Sequence, residues 1–328
     1  MKPHVHSPRL TLTALPAPAV LLARATLLAP AMLLAPTPLL APTPVLGFTA
    51  PMAAQSTPAL PPADPTLPAA STLLDECVAA LGGAEALAAI ESYRIEAECT
   101  RQGEAMLGVP ARTYKGTGEI LWHRSGHARL RGACEVVDGQ PPEVWLRKVE
   151  FGVKPECSWS RVPDREREIF GRLPGGLDGT APYDPLRVLY LGIARHGDTM
   201  LEARTVRREP VQGRDCHRIS ARYRLEPAAP PRAMTLWLDV DTKRPVRCTI
   251  GAFRSTYSDW RDVGGIQAPF RLTAGVFCGD STGAFRELAE VKTLTFNSVA
   301  PEEVAAPAQL RDMAEVAAEE MAREQRER

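Results

Sequence analysis

The feature that most constrains this fold is a long series of segments in which apolar and polar residues alternate. In YRIEAECT, Ile95, Ala97 and Cys99 share one face and the charged residues share the other. Successive side chains of a strand point to opposite faces, so this pattern predicts strands with one buried and one solvated face. The pattern recurs in TYKGTGEILWH, HARLRGACEV, VWLRKVEFG, RDCHRISARYRLE, AMTLWLDV, RPVRCTIGAF, STYSDWRDV, IQAPFRLTAGVFC and ELAEVKTLTFNSV. It predicts one large antiparallel sheet, with a hairpin turn at Gly264-Gly265.

Two segments have helical periodicity instead. Residues 73–91 carry an apolar stripe at Leu74, Val78 and Leu81. We expect Thr72 to cap the start of this helix and Gly82-Gly83 to interrupt it. In the middle of the chain, YDPLRVLYLGI offers Asp184 as a cap, Pro185 at the first helical position and an apolar side formed by Leu186, Leu189, Tyr190 and Ile193. The fold class is therefore α+β, with helices covering one side of the sheet.

The two ends of the chain differ in composition from the middle. Residues 1–72 contain 15 of the 31 prolines and only four charged side chains, so they do not read as part of the sheet. We expect a signal-like apolar leader over residues 1–54 and a Pro-rich linker over 55–72. The folded domain is expected over 73–300, followed by a charged C-terminal helix over 301–328.

The leader indicates export. Lys2 and Arg9 precede a Leu/Ala-rich stretch, and Ala53-Ala54 offers a small-residue cleavage site. This pattern predicts a periplasmic or secreted protein. An N-terminal membrane anchor is the alternative, although the five prolines between positions 30 and 44 argue against an intact spanning helix.

Charge and cysteine usage exclude several classes of protein. The chain has 39 basic and 39 acidic residues, so no charge excess favours nucleic acid as a partner. None of the seven cysteines has zinc-ligand spacing. Disulfides can form in an exported protein, and Cys216 and Cys248 lie in predicted strands close enough in sequence to be candidates for a pair.

Three motifs suggest chemistry, and each has a simpler structural interpretation. Gly279-Asp280-Ser281-Thr282-Gly283 has the spacing of a nucleophile elbow, but His217 is the last histidine, whereas the α/β-hydrolase order needs one after the serine. His123 and His127 are spaced like two metal ligands on a helix, but they lie on a predicted strand and turn, where this spacing does not form one metal-binding face. Asp239 and Asp241 end a strand and indicate a turn. The sequence therefore predicts no catalytic residue, no cofactor and no metal site.

Three stretches resemble a known family. LLDECVAALGGAEALAAIESYRIEAECT, MTLWLDVDTKRPVRC and YSDWRDVGGIQAPFRL resemble proteins related to the periplasmic lipoprotein carrier LolA, of the LolA–LolB lipoprotein-sorting superfamily. The resemblance covers residues 73–300 in patches. It implies an antiparallel sheet curved into an unclosed β-barrel with helices over its opening. It also implies a hydrophobic ligand, such as a lipid or a lipoprotein acyl chain.

Two functions follow from this interpretation. The first is a non-enzymatic, exported binding protein that holds an apolar ligand in the half-barrel. The second is an envelope sensor or interaction module whose barrel is filled and which binds a protein partner. Inward strand positions that would line an open cavity, or form ordinary core, are Ile95, Ile120, Trp122, Leu130, Ile219, Leu236, Leu238, Phe270 and Leu272.

Overall fold

The computed structural model describes most of the chain after residue 58. The described ranges are 59–103, 112–136, 147–154, 157–162, 169–173, 185–224, 231–251, 253–276, 285–312, 315, 318–319, 322–323 and 325–326. The leader over residues 1–54 and the loop that holds Ser281 lie outside them.

One sheet dominates the described part of the chain. Its strands are β1 Ser92–Gly103, β2 Arg112–His123, β3 His127–Val136, β4 Arg147–Lys154, β5 Cys157–Val162, β6 Ile169–Leu173, β7 Met200–Val211, β8 Arg214–Tyr223, β9 Arg232–Asp239, β10 Pro245–Ile250, β11 Phe253–Val263, β12 Ile266–Val276, β13 Phe285–Phe296 and β14 Arg311–Asp312. Each segment that alternates in the sequence forms a strand. β5, β6, β7 and β14 are additional.

The strand order shows two meanders joined in the middle. The order is β14-β6-β5-β4-β3-β2-β1-β13-β12-β11-β10-β9-β8-β7. All neighbours are antiparallel except the short β14, which runs parallel to β6. β7 and β14 lie at opposite ends of this order, so the sheet is not closed. The α+β class and the unclosed antiparallel sheet are confirmed.

Helices lie on one face of the sheet, which we call the inner face. They are α1 Ala70–Leu81, α2 Ala84–Ala88, α3 Pro185–Arg187 with its π-helical continuation Val188–Ile193, and α4 His196–Thr199. Apolar residues of α1, α2, α3 and the π-helical segment form one buried cluster with inward residues of the strands. Alternation along the strands places the polar rows on the opposite, outer face.

The outer face carries smaller clusters. Leu121 packs against Val299 and Val304, the latter from a 3₁₀ turn over Pro301–Val304. Arg94 pairs with Glu303 of this turn and with Glu119 of β2. The segment after β13 therefore folds back across the sheet.

The predicted helix boundaries need two corrections. α1 begins at Ala70, with Ala69 as a cap that makes no side-chain bond, so Thr72 lies inside the helix. The predicted helix over 301–328 is wrong at its start, because residues 301–304 form a 3₁₀ turn and β14 follows. The described residues from 315 onward are helical. Val304, at the end of this turn, is buried against the sheet.

The end of the predicted linker is attached to the edge of the sheet. The backbone N–H of Asp64 donates to Thr205 O at 2.9 Å, and Thr205 Oγ1 donates to Pro68 O at 2.8 Å. These bonds satisfy part of the β7 edge, which would otherwise expose unpaired backbone groups. They also fix where α1 begins. Within the described ranges, no helix is both long enough and apolar enough to cross a membrane.

Candidate ligand-binding site

A helical cover spans part of the inner face. It consists of α3, the π-helical segment and α4, that is, residues 185–199. Its apolar side matches the one predicted from the sequence, and Leu186, Leu189, Tyr190 and Ile193 are all buried. A π-helical turn is wider than an α-turn and is often found at functional sites.

Polar contacts attach this cover to its neighbours. Tyr190 Oη donates to Gln267 O of β12 at 3.1 Å, whereas the bond from Thr199 Oγ1 to Gly192 O, at 2.6 Å, lies within the cover itself. His196 Nε2 lies 3.0 Å from Asp75 Oδ1 of α1. Burial raises the pKa of the Tyr190 hydroxyl, so it remains a neutral donor.

A cavity lies where the cover meets the inner face of β9, β10 and β11. It has a volume of about 10 Å³, room for about one water molecule, and is partly open to solvent. This volume is far below the range for small-molecule sites, so the cavity is a gap between cover and sheet rather than a preformed pocket. The lining is mainly apolar, with one cation and two hydroxyls, and comprises Val188, Arg232, Cys248, Ile250, Phe253, Ser255 and Tyr257.

The chemistry of the lining suits an apolar ligand with a polar end. Burial raises the pKa of the Cys248 thiol to about 12, so it remains protonated and behaves as a small apolar side chain. The same environment would penalise a charged ligand group placed deep in the cavity. Arg232 and Ser255 provide the polar contacts.

The nine residues predicted from the sequence lie mostly in the packed core. Six are fully buried in the main cluster, namely Ile95, Trp122, Ile219, Leu236, Leu238 and Leu272. Ile120 and Phe270 are partly buried against it, and Leu130 is half-buried. None of the nine is among the residues that line the cavity described above. That they contact a ligand stays a prediction.

Sequence reasoning missed the residues that do line it. Phe253, Ser255 and Tyr257 alternate along β11 and share its inner face, so the period-two pattern contains this signal. Val188 could not be placed, because a π-helical turn shifts side chains away from their α-helical positions.

The candidate disulfide between Cys216 and Cys248 is wrong. Both are free thiols in the structure. Cys216 packs with Val211, Trp237 and Val246, whereas Cys248 belongs to the main inner cluster. The two thiols therefore lie on opposite faces of the sheet, with β9 between their strands.

The structure was next compared with the serine and histidine motifs of the sequence. Ser281 lies outside the described residues; β12 precedes it and β13 follows it, with Val276 paired to Phe285. His123 and His127 each approach Ser125 Oγ, at 2.9 and 3.0 Å. Within the described ranges, no group of three or more His, Cys, Asp or Glu side chains could hold a metal ion.

Asp239 organises a turn. Its Oδ1 accepts the backbone N–H groups of Asp241 and Thr242 at 2.9 and 2.8 Å, and its Oδ2 lies 3.2 Å from Arg214. Burial alone would raise the pKa of this carboxyl, but the hydrogen bonds from Thr242, Arg214 and Asp241 outweigh it and hold the pKa below its ordinary value.

We expect Asp239→Ala to lower the free energy of unfolding by about 1–3 kcal/mol at pH 7, because two backbone N–H groups of the turn and Arg214 lose a charged acceptor. Since the folded-state pKa is depressed, this contribution is complete above about pH 4 and is lost as the pH falls through the folded-state value. Denaturant unfolding of both proteins between neutral and acid pH measures the difference. A difference that stays constant to the lowest pH would contradict the assignment.

Comparisons with known proteins give only distant matches. No family model and no curated protein matches the sequence. Three solved structures show a resemblance. A LolA superfamily protein from Nitrosomonas europaea is 12% identical over 73% of this chain and 99% of its own, with a TM-score of 0.41. A DUF1329 family protein from Desulfovibrio piger is 10% identical over 71% of this chain and 95% of its own, with a TM-score of 0.41. A domain from Vibrio parahaemolyticus, described as belonging to an outer membrane lipoprotein-sorting protein, is 12% identical over 71% of this chain and 94% of its own, with a TM-score of 0.40.

The superfamily that the sequence resembles is thus among the structural matches. At identities of 10–12% and TM-scores of 0.40–0.41, these matches do not establish membership of a family or a shared ligand. The function of this chain has to be inferred from its own cavity, cover and surface.

Proposed function

We propose that this chain is a non-enzymatic, exported binding protein that holds the acyl chain of a lipid or lipoprotein beneath its helical cover. The observation that carries the proposal is the apolar cavity between Val188 of the cover and strands β9 to β11. The leader-like composition of residues 1–54 and the resemblance of three stretches to LolA-related proteins agree with it.

The size of the cavity means that an acyl chain has to open it. Its volume of about 10 Å³ holds about one water molecule, so a chain can enter only if the cover moves away from β10 and β11. The cover can do so without breaking a strand pair, but it would give up the bond from Tyr190 to Gln267 and expose part of its buried apolar side. That bond contributes about 1 kcal/mol net.

The position of Arg232 indicates which way a bound acyl chain would point. It contributes to the cavity lining at the start of β9, while Ile250 and Tyr257 contribute apolar surface. An acyl chain would therefore place its apolar end among the latter and an anionic or polar head beside Arg232.

Ser255→Trp tests the site directly. Ser255 lines the cavity from β11, so an indole ring there occupies the space that the ligand needs. We expect the affinity for a fluorescent fatty-acid probe to fall roughly tenfold or more, because the ring clashes with any bound chain. Titration of delipidated protein with the probe measures the effect.

Ser258→Trp is the matched control. Ser258 lies on the same strand but on the outer face, where its hydroxyl contacts Arg271 O. It introduces the same side chain away from the cavity, so probe affinity should stay unchanged. Equal losses in both variants, with both proteins folded, would contradict a cavity at Ser255.

A second function is favoured by the packing of the main core. Six of the nine inward residues that would line a wider barrel are fully buried by their neighbours. A filled barrel of this kind suits a sensor or interaction module that binds an envelope protein. Native mass spectrometry of protein purified after export separates the two. A co-purifying lipid that denaturation releases supports the carrier, whereas a clean mass without probe uptake supports the interaction module.

A further inference from the structure

One end of the sheet carries a group of arginines. β8 ends here and β9 begins here, because Tyr223 pairs with Arg232. The hairpin between β10 and β11 turns at the same end, where Ile250 pairs with Phe253. The arginines at this end, which we call the basic rim, are Arg222, Arg224, Arg232 and Arg254.

The acidic residues of the same strands do not balance this charge. The carboxylates of β8, β9 and the turn after β9 lie at the opposite end of the sheet, namely Asp215, Asp239 and Asp241. Two described carboxylates flank the start of β7 beside the basic rim. Asp198 pairs with Arg195 at 3.4 Å, and Glu202 pairs with Arg204 at 2.5 Å. Among the described residues, the basic rim therefore adds a net positive charge to this end.

An exposed apolar side chain lies beside the basic rim. Leu201 is 46% exposed, and it is the one large hydrophobic side chain of the described ranges that is neither buried nor half-buried. It lies in the bulge between Met200 and Glu202, opposite the end of β8. Cations next to an exposed apolar side chain favour the interface of an anionic membrane. There the cations meet the headgroups and the apolar side chain enters the boundary of the acyl region.

The cavity beneath the helical cover reaches the basic rim. Arg232, Ile250 and Phe253 line the cavity and also lie at this end of the sheet. A bilayer that faces the basic rim would therefore lie beside the gap through which the proposed acyl ligand enters.

We propose that the basic rim and Leu201 dock this chain on the surface of an anionic lipid bilayer. An acidic protein segment would match the charge, but it would not account for the exposed Leu201 or for an acyl-chain gap at the same end. The inference rests on the proposed function for its purpose, which is to place the gap against a source of acyl chains. The docking itself needs no acyl ligand and can be measured without one.

Co-sedimentation with lipid vesicles measures the docking. Protein purified after export is mixed with vesicles of phosphatidylglycerol and phosphatidylcholine, and with vesicles of phosphatidylcholine alone as reference. We expect binding to the anionic vesicles to be stronger and to weaken as the salt concentration rises, because salt screens the attraction between arginines and headgroups.

Arg224→Gln and Leu201→Ser test the two parts of the surface. One cation near an anionic membrane corresponds to roughly fivefold in affinity, so we expect Arg224→Gln to bind anionic vesicles about fivefold more weakly. Leu201→Ser removes apolar surface and should lower the affinity roughly threefold or more. Arg261→Gln makes the same change of charge at the opposite end of β11, at an exposed residue paired with Asp259, and should bind as the wild type does. Circular dichroism shows whether each variant is folded.

The outcomes separate clearly. Weaker binding of folded Arg224→Gln and Leu201→Ser, with Arg261→Gln unchanged, supports docking through the basic rim. Equal binding to both kinds of vesicle, or an equal loss in Arg261→Gln, overturns the proposal. Absence of vesicle binding also overturns it and leaves an acidic protein segment as the partner that the charge fits. Ser255→Trp should bind the anionic vesicles normally, so failure of the acyl-chain site leaves this result unaffected.

Discussion

Replacing Gly82 with alanine is expected to lower the free energy of unfolding by roughly 2–5 kcal/mol, combining backbone strain with overpacking. Gly82 follows α1 with φ of +129°, a conformation that side chains rarely adopt. A Cβ there would lie 2.7 Å from Gly265 O and 3.3 Å from Ile266 Cα. These are backbone atoms at the β11–β12 turn, where Gly264 and Gly265 also have positive φ, so they cannot rotate away as a side chain could.

Gly83→Ala is the control for this prediction. Gly83 also has a positive φ, of +89°, but no atom lies within 4 Å of its Cβ position. It should show backbone strain alone, about 1–2 kcal/mol. Chemical denaturation of both variants gives the difference. Equal losses would show that α1 does not dock against the hairpin as closely as the structure indicates, and the placement of the helices over the inner face would then need revision.

Much of the sheet could be predicted from the sequence because alternation survives wherever one face is buried and the other is wet. β1 shows this in its fullest form, with Ile95 and Ala97 buried and Glu96 and Glu98 on the outer face. The Gly264-Gly265 turn was equally predictable, because two consecutive residues with positive φ favour glycine.

The parts that could not be predicted depend on contacts between distant segments. α1 begins inside the Pro-rich segment because Pro68 and Asp64 bind Thr205 of β7, a contact that spans more than a hundred residues. The face on which Cys248 lies depends on the bulge where Pro245 and Arg247 shift register between β9 and β10. A one-residue shift moves a side chain to the opposite face, and periodicity alone does not locate it.

The candidate site illustrates the same limit. Alternation identifies which side chains point inward, but it does not tell whether the space above them is filled. Leu236 and Leu238 point inward and are covered, whereas Cys248 and Ile250 on the next strand reach the cavity.

Trp122→Ala is expected to have the other large effect, a loss of about 3–5 kcal/mol in the free energy of unfolding. Trp122 is fully buried and stacks on Tyr93, with ring centres 5.1 Å apart and planes inclined by 22°. Removing the indole would leave a large void in the main cluster, which the flanking strands β1 and β3 cannot close without breaking their pairing. Thermal and denaturant unfolding measure the loss.

Trp122→Phe separates packing from polarity. The Trp122 indole N–H has no hydrogen-bond partner within the described ranges, so phenylalanine gives up no bond and retains a stacked ring. This variant should lose less than about 1.5 kcal/mol. If Trp122 instead lined an open ligand cavity, alanine would cost little stability and would enlarge the space available to the fatty-acid probe. A small stability loss together with tighter probe binding would therefore place the ligand deeper in the half-barrel, beneath β1 and β2 rather than beside β10 and β11.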